Sequence, residues 1–217
     1  MPEFFVAGGI VMVPLLLFSL LATALVFERC WFWAKLLRQQ QSVVRQLLEN
    51  YSQNPSAALA RLKQHSQLPI ARICLAALAL GEATPEEFRL ALESAAQAEL
   101  PLLKRFQTAL ETVVGVAPLL GLLGTVLGLI QALSSLQLGD IPGSSGVTLG
   151  IGEALISTAA GLVVAIVTLL FANLFQGLYR RQRALIQEVG GKLEILHRRQ
   201  FSRGVAVDPE RYLDRLR

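Results

Sequence analysis

Long apolar stretches alternate along the chain with stretches in which charged residues recur every few positions. Three apolar stretches, at residues 4–27, 112–138 and 148–179, each exceed the roughly 20 residues that a helix needs to cross a bilayer core. The remaining stretches are helical in pattern and carry few strand signals. The pattern therefore predicts an all-α integral membrane protein, with three transmembrane helices that extend into a helical cytoplasmic region.

The 20 basic residues are distributed unevenly, because residues 106–179 contain none of them. Lys and Arg in short flanking loops mark the cytoplasmic side of a membrane, so an external N-terminus and a cytoplasmic C-terminus are predicted. The predicted segments are a first transmembrane helix (1–27), a cytoplasmic helical region (28–111), a second transmembrane helix (112–138), an external loop (139–147), a third transmembrane helix (148–179) and a cytoplasmic C-terminal helix and tail (180–217).

Composition excludes several other classes. With 53% hydrophobic and 17% charged residues, the chain lies outside the range of soluble domains. A signal peptide is the alternative for the first stretch, but its apolar core is longer than 7–15 residues and lacks a basic n-region, so we expect a retained helix. Basic residues are interleaved with acidic ones, so no nucleic-acid binding is expected. Cys30 and Cys74 lie on the predicted cytoplasmic side, where no disulfide is expected.

The cytoplasmic region divides into helices at three predicted breaks, near residues 54–55, 68–69 and 81–85. Thr84 precedes Pro85 and two acidic residues, the pattern of a helix N-terminus. We expect a long helix to begin there and to continue toward the membrane with a kink at Pro101. The third transmembrane helix is expected to run past the bilayer, because the apolar helical spacing continues beyond residue 180.

Small and hydroxylated residues form one stripe on each of the last two transmembrane helices. The stripes consist of Pro118, Gly121, Thr125, Gly128, Ala132 and Ser135, and of Ala154, Thr158, Gly161, Ala165, Thr168 and Ala172. Transmembrane helices associate through small residues that let backbones approach, so both stripes are expected to face protein. A simple packing seam is one interpretation, and a functional site is the other.

Glu153 is the one acidic residue within these two apolar stretches. A carboxylate in hydrocarbon is costly and by default marks an ion path, a proton relay or a partner contact. Hydration at the outer interface is the alternative, because residues 146–179 are longer than the bilayer core. Glu153 and Ser157 share a helical face, whereas Thr158 lies about 140° around the helix, so no single straight polar path joins all three residues.

Two segments resemble a known family. Residues 117–126 (Ala-Pro-Leu-Leu-Gly-Leu-Leu-Gly-Thr-Val) and residues 150–162 (Gly-Ile-Gly-Glu-Ala-Leu-Ile-Ser-Thr-Ala-Ala-Gly-Leu) are similar, in this order, to the paired motifs of the MotA/TolQ/ExbB proton channel family. The three-span layout resembles the ExbB/TolQ branch rather than the four-span MotA branch. Leu127 replaces a frequent Trp of the family and Val167 a frequent Pro, which leaves partner packing open and indicates a straighter third helix.

The resemblance implies a homopentamer in the bacterial inner membrane, with the external side periplasmic. The ring would surround a dimer of ExbD-like or TolR-like single-span partners, each with a membrane Asp. Proton flow would turn the partner helices and transmit work to a TonB-like or TolA-like protein. The implied pore-lining residues are Thr125, Glu153 and Thr158, and the implied packing residues of the helices are Pro118, Gly121, Gly124, Gly128 and Gly161.

These expectations define a proton-channel subunit of a motor for energised outer-membrane transport, with TolQ-like envelope maintenance or a non-conducting scaffold as alternatives. A small-solute carrier is not favoured, because internal repeats are missing. No enzyme activity, catalytic residue, metal or cofactor is expected. His65 and His197 belong to no metal-binding or triad spacing and are expected to be solvated surface residues.

Overall fold

The computed structural model describes residues 9–51, 55–81, 83–137 and 145–207. Helix is the only regular secondary structure in these residues, which confirms the all-α prediction. The helices are α1 (Met12–Tyr51), α2 (Pro55–Gln64), α3 (Pro69–Leu78), α4 (Pro85–Leu103), α5 (Gln107–Gln137) and α6 (Ser145–Val207). Three of them, α1, α5 and α6, contain stretches that are long and apolar enough to cross a membrane, as predicted.

The chain divides into two compact units. The first unit comprises residues 1–31 and 106–177, and the second comprises residues 32–105 and 178–217. The first unit contains the start of α1, all of α5 and the first half of α6. Its core consists of Val11, Leu15, Ala22, Val113, Ala117 and Ala165.

The observed helix ends differ from the predicted spans at several points. Helix α1 begins at Met12, and Gly9 takes a left-handed φ of 67° in the turn that precedes it. The amide of Met12 donates a hydrogen bond to the Gly9 carbonyl (3.1 Å). The predicted helical start at residue 4 lies outside the described residues, and residues 9–11 are not helical because of this turn.

Helix α6 begins at Ser145, before the predicted residue 148, and continues to Val207. Its 63 residues give a length of about 95 Å, roughly three times the bilayer core. The prediction that this helix continues past its apolar stretch is confirmed. Residues 138–144, with Asp140 of the predicted external loop, and residues 208–217 lie outside the described residues.

The predicted continuous helix from Thr84 to the membrane is wrong, because α4 ends at Leu103 and α5 begins at Gln107. Pro101 lies in the last turn of α4, where it removes one amide donor. Phe106 then takes a φ of 66°, a rare conformation for a residue with a side chain. The Arg29 guanidinium lies 5.1 Å from the centre of the Phe106 ring, close enough for a cation–π contact.

The second unit contains three short helices that begin at Pro55, Pro69 and Pro85, as the predicted breaks require. Helix α3 packs on α2 and on α4. Its buried residues include Ile70, Ile73 and Cys74, and burial raises the pKa of the Cys74 thiol to about 12. Arg72 of α3 donates from Nε to the Glu99 carboxylate of α4 (2.6 Å), which joins the two helices by an ion pair.

The N-terminus of α4 is held by the predicted Thr84 cap. The Thr84 hydroxyl accepts from the Glu87 amide (3.3 Å), and the Glu87 carboxylate accepts from the Thr84 amide (2.8 Å). These two reciprocal bonds form a capping box. The bonds from Thr84 also lower the pKa of the Glu87 carboxyl, because they stabilise its charged form.

His197 corrects one sequence expectation. Its side chain is buried, whereas a solvated surface residue was expected. The Nε2 atom lies 2.9 Å from the Ala83 carbonyl, and Nδ1 lies 3.0 Å from the Tyr51 hydroxyl. Because a carbonyl can only accept, Nε2 donates to Ala83, while Nδ1 pairs with the Tyr51 hydroxyl. The ring also stacks on Phe88, with centres 4.1 Å apart.

Candidate functional site

Helices α5 and α6 run antiparallel in the first unit and meet along a seam with almost no side chains between them. A Cβ atom built on Gly121 would lie 3.0 Å from the Ser157 carbonyl oxygen, and one on Gly161 would lie 2.5 Å from the Ala117 carbonyl oxygen. A Cβ atom on Gly128 would lie 2.7 Å from a carbonyl oxygen of α6. The two backbones are therefore in direct contact, and these positions accept only glycine without a shift.

The seam includes five of the twelve residues of the two predicted stripes. On α5 it contains Ala117, Gly121, Gly124, Gly128 and Ala132, and on α6 it contains Gly150, Ala154, Ser157 and Gly161. The predicted stripes did not contain Ala117, Gly124, Gly150 or Ser157, although Gly124 was among the implied packing residues and the spacing of 150, 154, 157 and 161 is the same helical pattern. Ser157 lies under Gly124 and is fully buried.

Two predicted hydroxyl groups lie beside the seam, and both donate to backbone carbonyls. Thr158 donates across the seam to the Gly121 carbonyl (3.0 Å), and Thr125 donates within α5 to the Leu122 carbonyl (2.6 Å). With its proton engaged in this way, a hydroxyl oxygen still has lone pairs that accept a hydrogen bond. Each threonine can therefore accept from a protonated carboxyl group or from water.

Thr125 and Thr158 lie on the same flank of the seam. On an ideal helix, each threonine is rotated about the helix axis by about 60–70° from the mean direction of the seam residues on its own helix. The residues that pack with α1, such as Leu120 and Val164, are rotated in the opposite direction on both helices. Both threonines therefore lie on the flank away from α1, about one helical turn apart.

Glu153 lies on the other flank of α6, toward α1. Its Oε2 atom is 3.3 Å from the position that a Cβ atom on Gly9 would take, and its side chain is partly buried. The fold of one chain thus brings the two threonines to one side and Glu153 to the other. This arrangement agrees with the expected angle of about 140° between Glu153 and Thr158.

The remaining predicted positions lie at the edges of this arrangement. Pro118 is an internal residue of α5 and is partly buried, and the Ser135 side chain is outside the described residues. Leu127 is exposed on the single chain. Helix α6 continues without interruption through Val167. Val167 lines a groove of about 380 Å³ between α1 and α6, whose surface is mostly apolar and includes the hydroxyls of Ser19, Thr23 and Thr168.

These features define a multi-pass helical membrane protein, with a backbone-to-backbone seam and hydroxyls on one open flank. The model of the MotA/TolQ/ExbB proton channel family matches residues 65–188, a little over half of the chain. This segment contains the whole seam together with Thr125, Glu153 and Thr158. The chain belongs to the MotA/TolQ/ExbB proton channel family.

Relatives of this chain are named for both members of the predicted branch. An ExbB-like biopolymer transport protein of Synechocystis, ExbB-like 3, is 60% identical over 89% of this chain and 93% of that relative. The biopolymer transport protein ExbB of Neisseria meningitidis serogroup A is 30% identical over 86% of this chain and 89% of that protein. The Tol-Pal system protein TolQ of Haemophilus influenzae is 35% identical over 52% of this chain and 50% of that protein.

Proposed function

We propose that this chain is the ring-forming proton-channel subunit of a motor in the bacterial inner membrane. The N-terminus is periplasmic and the C-terminus cytoplasmic. Five copies surround a dimer of ExbD-like or TolR-like single-span partners, each with a membrane Asp. The motor converts the proton gradient into mechanical work on a TonB-like or TolA-like protein that spans the periplasm, for energised transport across the outer membrane.

The observation that carries this proposal is the open flank with Thr125 and Thr158. Both hydroxyls donate to backbone carbonyls and keep lone pairs on the flank away from α1. A partner carboxyl in its protonated form can donate to these oxygens. In its charged form it meets no fixed cation there, because residues 106–179 contain neither Lys nor Arg. A basic residue would hold the partner Asp in its charged form and stop the cycle.

Glu153 serves a different step in this proposal. It lies next to Gly9, near the N-terminal ends of α6 and α1. In the proposed topology these are the periplasmic ends of both helices. There it exchanges protons with the periplasm and supplies them to the ring interior. The exchange passes between neighbouring copies, since Glu153 and the threonines lie on opposite flanks of one chain.

Replacement of Glu153 by Gln tests the carboxylate. Gln keeps the shape of the side chain but cannot ionise, so we expect assembly to persist and proton-driven transport to stop. The measurement is gradient-dependent uptake in cells, together with the native mass of the complex. Unchanged transport in the assembled variant would remove Glu153 from the proposal and favour the non-conducting scaffold.

Replacement of Thr125 or Thr158 by Val tests the open flank. Loss of one hydrogen bond to a protonated carboxyl costs about 1–1.5 kcal/mol, so we expect each variant to lose about tenfold in proton flux. Thr112→Val is the matched control, since this hydroxyl also donates to a carbonyl of its own helix (2.8 Å) but lies at the other end of α5. Equal losses in all three variants would contradict a special role for the flank.

The likeness to TolQ keeps envelope maintenance as a second candidate for the same motor. The match to the TolQ of Haemophilus influenzae covers about half of this chain. Deletion of the chain distinguishes the two candidates. Loss of energised uptake with an intact envelope supports the first, and leakage of periplasmic proteins with normal uptake supports the second.

A further inference from the structure

Three buried polar atoms in the second unit have no hydrogen-bond partner among the described residues. They are the indole Nε1 of Trp33 and the amide Oε1 of Gln40, both on α1, and the amide Nε2 of Gln182 on α6. Each of these residues has at most 5% of its surface exposed. Buried polar atoms in folded proteins are almost always hydrogen-bonded, either to protein or to ordered water, so these three atoms require a partner.

Contacts within the second unit define how α1 lies beside the neighbouring helices. At the end of α1, the Tyr51 hydroxyl pairs with the His197 ring of α6 (3.0 Å). About three turns earlier on α1, hydrogen bonds link this helix to α4. These bonds run from Gln39 through Gln67 and Arg72 to Glu99.

Helix α4 in turn runs antiparallel to α6 in this unit. Phe88, near the start of α4, stacks on His197, and the Lys104 ammonium lies 4.9 Å from the centre of the Tyr179 ring. Glu99 of α4 is therefore level with about residue 185 of α6. It follows that α1 and α6 run in the same direction, with facing residues about 146 positions apart in the sequence.

This offset brings the three polar side chains together. Gln182 faces Leu36, and it is therefore about one helical turn from the level of Gln40 on one side and of Trp33 on the other. Buried apolar residues, including Leu36, Val43 and Ile186, occupy the neighbouring positions of the two helices. A polar atom in such surroundings loses free energy unless it finds a hydrogen bond there.

We propose that Trp33, Gln40 and Gln182 form a binding site for buried water between α1 and α6. A water molecule can accept from the Nε1 and Nε2 donors through its lone pairs and donate to the Oε1 acceptor. About three hydrogen bonds are usual for a buried water molecule, so one water, or two in contact, matches this set of atoms. A slip of one helix along the other would separate the donors from the acceptor, so the site favours a single register. This inference does not depend on the proposed function.

The direct test is cryo-electron microscopy of the unmodified, full-length chain in lipid nanodiscs, at a resolution that shows ordered water. We expect water density at hydrogen-bond distance, about 2.7–3.2 Å, from both Gln40 Oε1 and Gln182 Nε2. The Trp33 Nε1 atom is expected to contact the same water or its neighbour. A direct bond between the two amides, or an absence of density between them, would overturn the inference.

Methionine substitutions test the coupling in solution, because Met has nearly the length of Gln but forms no strong hydrogen bond. For Gln40→Met and for Gln182→Met we expect the ratio of folded to unfolded protein to fall about tenfold, measured by denaturant titration. The double variant releases the water and removes both polar groups, so its loss is expected to be well below the hundredfold product. Independent, multiplying losses would contradict a shared site.

Exposed glutamines on the same two helices provide the matched control. Gln41 and Gln187 are both exposed, so Gln41→Met and Gln187→Met remove no buried hydrogen bond. We expect little change in stability for either variant, and no coupling between them. Losses as large as those at Gln40 and Gln182 would show that the substitution itself, rather than the buried site, destabilises the helices.

Tryptophan fluorescence tests the third member of the site. The chain has two tryptophans, so Trp31→Phe leaves Trp33 as the only emitter. In that background we expect the emission maximum to shift to shorter wavelength when Gln40→Met and Gln182→Met are combined, because the indole loses its polar neighbour. An unchanged maximum would remove Trp33 from the site. If the methionine variants do not fold, the structure of the unmodified chain decides the proposal.

Discussion

The two units of this chain hold their helices together in different ways. In the first unit, α5 and α6 meet through glycine and other small residues, and the hydroxyls beside the seam bond to carbonyls. In the second unit, large side chains fill the core, and polar pairs such as Tyr51 with His197 join distant parts of the sequence. The two kinds of packing suit different surroundings, because small-residue contacts suit lipid and large buried side chains suit water.

In lipid, apolar side chains gain little by leaving the solvent, so helices associate through close backbone contact and short hydrogen bonds. Leucines such as Leu119 and Leu122 therefore lie on the outside of the first unit, with 64% and 58% of their surface exposed. In water, burial of large apolar groups drives association, which explains why Phe88 and Leu193 are buried in the second unit. The same chain thus uses two forms of packing.

The largest effect is expected for Phe88→Ala in the second unit. Phe88 has 1% of its surface exposed and stacks on His197, so its truncation leaves a cavity. We expect a loss of about 3–5 kcal/mol in the free energy of unfolding, measured by denaturant titration of the purified protein. Leu90→Ala is the control on the same helix, because Leu90 is 57% exposed. Similar losses for both would show that this unit does not depend on a packed core.

A smaller effect is expected for Gly161→Ala in the seam. The added methyl group would meet a backbone oxygen of α5, which can move only with its helix. We expect a destabilisation of about 1–3 kcal/mol, measured as a lower thermal midpoint in detergent. Gly115→Ala adds the same methyl group where nothing lies within 4 Å, and is expected to be neutral or stabilising. If the two variants behave alike, backbone contact does not hold the seam together.

The smallest effect is expected for the cap of α4. Thr84→Ala removes one half of the capping box and costs about 1 kcal/mol, seen as faster hydrogen exchange at the Glu87 amide. The pKa of Glu87 is lowered in the folded state, so its contribution is present above the ordinary glutamate pKa. That contribution is lost as the pH falls through the lowered value. In this acid range, the protection of the Glu87 amide against hydrogen exchange is therefore expected to change less with pH in the Thr84→Ala variant than in the unmodified protein.

Local signals in the sequence predicted much of the fold. Proline and the acidic first turn located the start of α4, and apolar length located the spans, since these properties act over a few neighbouring residues. The break at Phe106 was missed because a left-handed φ at a residue with a side chain has no local signal. It depends on contacts that only the folded chain supplies, including the one with Arg29.

In the candidate site, too, some features had a local signal in the sequence and others depended on contacts in the folded chain. The paired motifs, and the absence of Lys and Arg from residues 106–179, indicated Thr125, Glu153 and Thr158 from the sequence alone. Residue types and helical spacing can be read directly from a sequence. Spacing also gave the angle between Glu153 and Thr158. It could not say which neighbour each would meet, so the position of Gly9 beside Glu153 was not foreseen.

By itself, the sequence determined that the chain is helical, that three stretches can span a membrane and that small residues line two of them. These properties follow from composition and from the spacing of apolar and small residues along a single helix. Only the tertiary structure decided that His197 is buried and that Ser157 lies inside the seam. It also decided that Glu153 faces α1 while both threonines lie on the other flank, because contacts between segments far apart in sequence depend on how whole helices pack.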